Sequence, residues 1–309
     1  MGCLDFVERV ELEMNSEKRI VGLGEILWDV FPDRRLFGGA PANFSAHAVA
    51  LGATVSMVSA VGRDELGTRA LEELRNRGID TDTVAIKDSL TGTVNITLDT
   101  QGEATYIFAS NAAWDHLNWS ERHEALALKT DAVAFGSLGQ RSRSPRECIR
   151  KFVESTPHDC LRIFDVNLRQ DFYSKGLIHD SLYLANILKL NDEELEILFP
   201  ARGNRNLYDR LKTLCADFDL NLVALTRGTE GAIIVNKQEI SECRCVATEV
   251  KDTVGAGDAF TAVLAHGLLA GIPIDHINRH ACRTAAFVCS QAGATPELPE
   301  ELKKFLTDE

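Results

Sequence analysis

At 309 residues, 45% of them hydrophobic, the chain can bury the core of one large α/β domain with a small appendage, which excludes a disordered protein. Its 46 acidic residues against 33 basic ones leave a net charge of −13, and no Lys/Arg block offers a footprint for nucleic acid or a membrane surface. Eight scattered cysteines lack the paired spacing of a disulfide framework or a zinc site and read as reduced, mostly buried thiols, with Cys243-Arg-Cys245 as a strand end rather than half of a metal site.

Residues 1–18, MGCLDFVERVELEMNSEK, mix charges with single apolar residues and lack the apolar stretch of a signal peptide. We expect them to form an extension outside the fold and the chain to be cytoplasmic. Phe6 stands where a myristoylation signal has Ser or Thr. From Arg19 onward, strand-length apolar runs alternate with helical patterns: RIVGLGEIL, PANFSAHAVALG, TVSMVSAVG, LGTRALEELRNRG. This rhythm predicts a parallel sheet covered by helices on both faces. Residues 88–109 break it with two alternating runs around DTQG, a hairpin signature. We expect this hairpin, with strands from about 28–37, to form a small β sheet that leaves the parallel layer and covers a site. The rhythm returns in DAVAFGS, SPRECIRKFVES, LRIFDVNL, NILKLN and NLVALTRG, so one domain is expected over residues 19–309. In open α/β sheets, ligands sit at the carboxyl ends of such strands.

DTVGAGDAF, residues 252–260, puts Gly255 and Gly257 at the entrance of an apolar helical run. Glycines there let the backbone turn tightly and expose N–H groups to an anion. Asp258 would repel that anion unless it takes a proton from a hydroxyl that attacks a phosphate. The same residues are equally compatible with an ordinary acidic first turn. Earlier, FGGAPANFSAHAVALG places Gly38 and Gly39 before a helix that begins near Pro41, with Asn43 offering an amide to a sugar hydroxyl; alone, this is also a plain helix start. Neither a GxxxxGK[ST] loop nor HRD with DFG is present.

Together these two stretches resemble the signatures of the ribokinase-like (PfkB) carbohydrate kinases. GEILWDVFP, GGAPAN, AVGRDELG, AAWDHL, GSLGQRS, DVNLR, KLNDEEL, LTRG and DTVGAGDAF stand in order between about Arg19 and Pro299, and the first, fourth and fifth resemble the fructokinase branch. The resemblance implies a ribokinase-like doubly wound, mostly parallel sheet with helices on both faces and a small β-sheet lid. It implies transfer of the γ-phosphoryl group of ATP to a primary hydroxyl of a sugar, with fructose to fructose 6-phosphate as the first expectation. Asp258 would be the catalytic base, and the amides of Gly255, Ala256 and Gly257 would hold the phosphoryl group. Asp29, Gly38, Gly39 and Asn43 match sugar-binding positions, and Thr226 and Gly228 match nucleotide positions. Asn191 and Glu194 match a motif that works around magnesium (Mg2+) and phosphate, through water. Asp252 matches a loop that in several relatives binds a monovalent cation such as K+. A lid sheet left exposed is expected to pair with a second lid, giving a homodimer.

Several of these positions keep another reading. Asn191 and Glu194 also suit an N-cap and first-turn acid for DEELEILF. Asp29, inside an apolar strand, is expected to be buried and partnered. Arg169 in DVNLR can meet a phosphate or substrate oxygen, and relatives that phosphorylate 2-keto-3-deoxygluconate carry a similar D-x-N-x-R, so it does not separate a neutral sugar from a sugar acid. Trp114 packs near the lid or fills the core. A sugar-binding regulatory relative without turnover is the alternative of a different class; it has no chemical need for Asp258.

Overall fold

Alternation along the strands decides the layers. In β1 (Arg19–Leu23) Ile20 packs to one face of the main sheet while Val21 and Leu23 pack to the other, as a period of two requires. The computed structural model describes residues 18–98, 104–201, 203 and 206–305. Residues 1–17 of the expected extension and the DTQG turn lie outside the described residues.

After β1 come β2 (Leu27–Val30), β3 (Arg35–Gly38), α1 (Ala40–Ala50), β4 (Thr54–Gly62), α2 (Glu65–Asn76), β5 (Val84–Lys87), β6 (Gly92–Leu98) and β7 (Ala104–Phe108). The middle of the chain supplies α3 (Glu121–Ala127), β8 (Ala132–Gly136), α4 (Arg143–Glu154), β9 (Leu161–Asp165), α5 (Lys175–Leu184), β10 (Ile187–Asn191) and α6 (Asp192–Leu198). Then follow α7 (Leu207–Asp217), β11 (Leu222–Thr226), β12 (Ala232–Asn236), β13 (Ile240–Cys243), α8 (Ala256–Leu269), α9 (Ile274–Cys289) and α10 (Glu300–Lys303).

The main sheet runs β13-β12-β11-β10-β9-β8-β1-β4-β5. Neighbours from β5 to β11 are parallel, and β12 and β13 add an antiparallel edge. One face carries α1, α2, α8 and α9; the other carries α3, α4, α5 and α7. Small residues along α8, AGDAFTAVLAHGLL, let it pack closely between α1 and α9, so it is buried almost all round.

One apolar run is split rather than continuous. RIVGLGEIL ends β1 at Leu23, Gly24 turns the chain at φ 149°, and Leu27 begins β2 in a second sheet of order β3-β2-β6-β7. Beneath this sheet Leu27, Val94, Ile96, Trp114 and Leu138 form a separate apolar cluster. Trp114 therefore packs under the second sheet, and a Cβ on Gly92 would come within 2.6 Å of its ring. Asp115 and Arg141 fasten the cluster: Arg141 Nε and Nη2 donate to the two carboxylate oxygens at 2.9 and 2.7 Å, Trp114 Nε1 donates to Oδ1 at 3.0 Å, and the guanidinium lies 4.6 Å from the Trp114 ring centre. Thus AAWDHL and GSLGQRS, apart in sequence, close on each other as one buried bracket.

Candidate active site

Because β1, β8, β9, β10 and β11 run side by side in one direction, the residues that follow them emerge along one edge. The four gaps from β1 to β11 span about 19 Å at ~4.8 Å each. A cavity of about 1150 Å³ opens there. Glu25 after β1, Arg169 after β9, Asn191 ending β10 and Thr226 ending β11 lie on its wall. Asp29, Gly39 and Asn43 line the end beneath the second sheet; Gly228, Cys282 and Ala285 line the β11 end.

Helix α8 starts between the two ends. Its N-cap Gly255 has φ 81°, and the backbone of Ala294 occupies the place where a Cβ would stand, so only glycine fits. The first-turn amides have no partner within the helix, and the macrodipole adds positive potential there. Asp258 is the third residue of the helix, and its Oδ2 accepts from Asn43 Nδ2 at 2.9 Å. Burial, reinforced by the Asp165 carboxylate, pushes its carboxyl up to about 6 against the opposing influence of Asn43, Lys189 and Arg169.

Two further carboxyls share this end. Glu25 is 3% exposed, its Oε2 has no hydrogen-bond partner among the described residues, and burial raises it to about 7. Asp29 is half-buried and raised to about 6, first by burial, with Arg169 opposing. Contrary to expectation, Asp29 makes no side-chain hydrogen bond among the described residues; its cationic neighbour is the exposed Arg169, which acts through space. Arg169 Nη1 donates to Leu168 O at 2.9 Å, and its field reaches Glu25, Asp29 and Asp258 alike.

Behind α8 lies a buried ion pair. Lys189 Nζ is 3.0 Å from Asp165 Oδ1, and Thr261 Oγ1 donates to Asp165 Oδ2 at 2.8 Å. Burial works against the Lys189 ammonium, but Asp165, Glu194 and Asp258 outweigh it and hold its pKa up. Sequence reading missed Glu25, Asp165 and Lys189. The available signal was Lys189 itself, a charge inside the apolar strand NILKLN that must find a partner when buried.

Not every expected residue reaches the cavity wall. Gly38 lies at the end of β3, where a Cβ would approach Asp29 Oδ2 at 3.2 Å, so it makes room for that carboxylate. Asn191 and Glu194 form a capping box: Asn191 Oδ1 accepts from Glu194 N, and Glu194 Oε2 accepts from Asn191 N, both at 2.8 Å. Glu194 Oε1 accepts from Leu168 N at 2.8 Å, so the buried carboxylate also fixes the loop that carries Arg169. Asp252 joins two loops, accepting from Val254 N at 3.0 Å and Gly293 N at 3.1 Å.

A doubly wound α/β domain, a small sheet over one end of a strand-end cavity, and a glycine-capped helix beside a half-buried carboxylate define a ribokinase-like fold. Residues 8–301 match the pfkB family of carbohydrate kinases, and the chain belongs to that family. It is 28% identical over 289 residues to a fructokinase of Salmonella typhimurium, covering 88% of this chain and 92% of that one. It is 29% identical over 273 residues to an ATP-dependent 6-phosphofructokinase of Thermoanaerobacterium thermosaccharolyticum, covering 86% and 83%. The structure of a sugar kinase from Pyrococcus horikoshii in complex with ATP superposes with a TM-score of 0.76 at 25% identity, covering 89% of this chain and 94% of that one.

Proposed function

We propose that this ATP-dependent sugar kinase phosphorylates fructose at the primary hydroxyl that gives fructose 6-phosphate, with Asp258 as the base. The observation that carries the reading is the carboxylate of Asp258, half-buried in the first turn of α8 and oriented by Asn43, beside the Gly255, Ala256 and Gly257 turn that lines the cavity. The sugar hydroxyl oxygen bonds to the γ-phosphorus as the bond to the ADP oxygen breaks, and the hydroxyl proton passes to Asp258. The amides of Gly255, Ala256 and Gly257 receive the phosphoryl oxygens, and Thr226 and Gly228 line the nucleotide end.

Charge at the sugar end supports a neutral substrate. Glu25, Asp29 and Asp258 face one guanidinium there, that of Arg169. A phosphorylated sugar would meet mostly like charge, whereas hydroxyls can donate to these carboxylates. The fructokinase relatives support the same choice. Arg169 alone favours a second reading, a sugar acid such as 2-keto-3-deoxygluconate, whose carboxylate would pair with it.

Glu194 has both oxygens committed to backbone N–H groups, so it would hold magnesium through water, with Asp192 and Glu193 offering further oxygens on the cavity wall. Magnesium bound with the nucleotide neutralises phosphate charge. Asp252 uses both oxygens to join the two loops that would hold a monovalent cation such as potassium. The second sheet supports lid-to-lid dimerisation: Leu36 and Tyr106 are exposed apolar side chains on its cavity-facing side.

The test is ADP release with magnesium-ATP across fructose, ribose, glucose, 2-keto-3-deoxygluconate and adenosine, with a blank lacking sugar. Turnover led by fructose is expected. Turnover led by the keto acid would replace the first reading with the second.

A further inference from the structure

The ammonium of Lys189 is packed against the turn that opens the active site. It is held at 3.0 Å by Asp165, which is itself fixed by Thr261 from within α8. A Cβ on Gly257 would lie 2.9 Å from Lys189 Nζ, so the absence of a side chain at 257 is what leaves room for the charge. Lys189 also lies on the cavity wall. Gly257 has no left-handed backbone to explain it, since only Gly255 in this turn has positive φ. A side chain at 257 would displace the flexible tip of Lys189, a physical reason for the second glycine in GAGD that stands beside its exposure of backbone N–H to an anion.

We propose that Lys189 is a positioning residue which, from beneath the first turn of α8, neutralises Asp165 and keeps the neighbouring Asp258 carboxylate ionised and ready to accept a proton. The groups that face Asp258 are Asn43 from α1, Asp165 at the end of β9, Arg169 from the following loop, Lys189 from β10 and Glu25 after β1. Among these, Asp165 is the carboxylate whose repulsion ranks next after burial itself. Lys189 is its ion-pair partner. Without the ammonium, two carboxylates share a buried site, and like charges there disfavour a second ionisation. The inference rests on Asp258 as base for its catalytic meaning, but not for its measurement.

The measurement is a carboxyl-carbon NMR titration of full-length protein labelled at aspartate, with the Asp258 signal assigned by its loss in Asp258→Asn. In Lys189→Met the Asp258 midpoint is expected to rise by about one pH unit or more. In Lys189→Met with Asp165→Asn it is expected to return close to the starting value, because both charges are gone. Gly257→Ala, which pushes the ammonium away and leaves every charge in place, is expected to shift the midpoint upward too and keeps the idea testable if Lys189→Met fails to fold. The acid limb of kcat/KM should move with the midpoint. An unmoved Asp258 midpoint in Lys189→Met, or, if that variant does not fold, in Gly257→Ala, overturns the proposal. So does an equal shift in the single and double variants. Undiminished turnover in Asp258→Asn would instead remove the base assignment and leave the titration result standing.

Discussion

As the proposed base, Asp258 must be a carboxylate to accept a proton, yet its surroundings hold it up to about 6. Activity should therefore fall as the pH drops through that region, and the acid limb of kcat/KM is the readout. Asp258→Asn should lower turnover about 10²–10⁴-fold while ATP affinity is retained, measured by kinetics beside equilibrium ATP binding. Glu25 predicts a different pH effect. Its folded-state value of about 7 lies above the ordinary 4.5, so between these pH values the folded protein keeps a proton that the unfolded chain releases, and stability falls as pH rises through the window. Glu25→Gln removes that slope. By urea denaturation its advantage over the parent should grow from near zero at about pH 4.5 to at most ~3 kcal/mol at about pH 8. The motif glycines, Asn43 and Asp258 were legible because short spacings carry their chemistry. Glu25 and Asp165 were not, because their importance comes from burial and from partners on other elements, Lys189 24 residues and Thr261 96 residues from Asp165, which no local pattern records.

At the scale of elements, the βα rhythm announced β1, β4, β8, β9, β10 and β11 with α1, α2 and α4, since two-residue and near-four-residue periods survive in local sequence, whereas β5, β12, β13, α3, α5, α7, α9 and α10 were not announced. The division of RIVGLGEIL between two sheets was not announced, because an apolar run does not say where a glycine will turn it. Likewise, nothing local reveals that Asp115 and Arg141 meet. Their bracket ties the stretch below the second sheet to the loop before α4, with Arg141 also donating to Ala109 O at 2.7 Å. Asp115→Ala leaves a guanidinium whose side chain is 7% exposed without its partner. We expect a loss of about 3–5 kcal/mol in denaturant unfolding. Asp115→Ala with Arg141→Met should recover part of that loss, because the unpaired charge is then gone.

The order of the main sheet belongs to the whole molecule. Within it β1 pairs with β4 and with β8, and Asp131 Oδ2 accepts from Arg19 N at 2.8 Å, a contact 112 residues apart in sequence. Such pairings are set by which faces bury together, so sequence supplied the class of fold and left the neighbours open. Assembly is tested at this scale. Light scattering of the intact protein should give twice the 34.0 kDa chain mass. Leu36→Glu with Tyr106→Glu should halve it, because charges on that face oppose its burial. A parent that already scatters as a single chain would end the lid-to-lid reading.

Gln170 Nε2 donates at 2.7 Å to the carbonyl of Tyr106 in β7. Gln170 and Asn167 both hold left-handed backbone, at φ 45° and 42°, on either side of Leu168 and Arg169. That bond works as a tether between the cover and the floor of the site. A pull on β7 is delivered to a short, tightly wound stretch of chain whose charged tip overlooks the acids. A displacement of β7 is therefore expected to carry the Arg169 guanidinium with it.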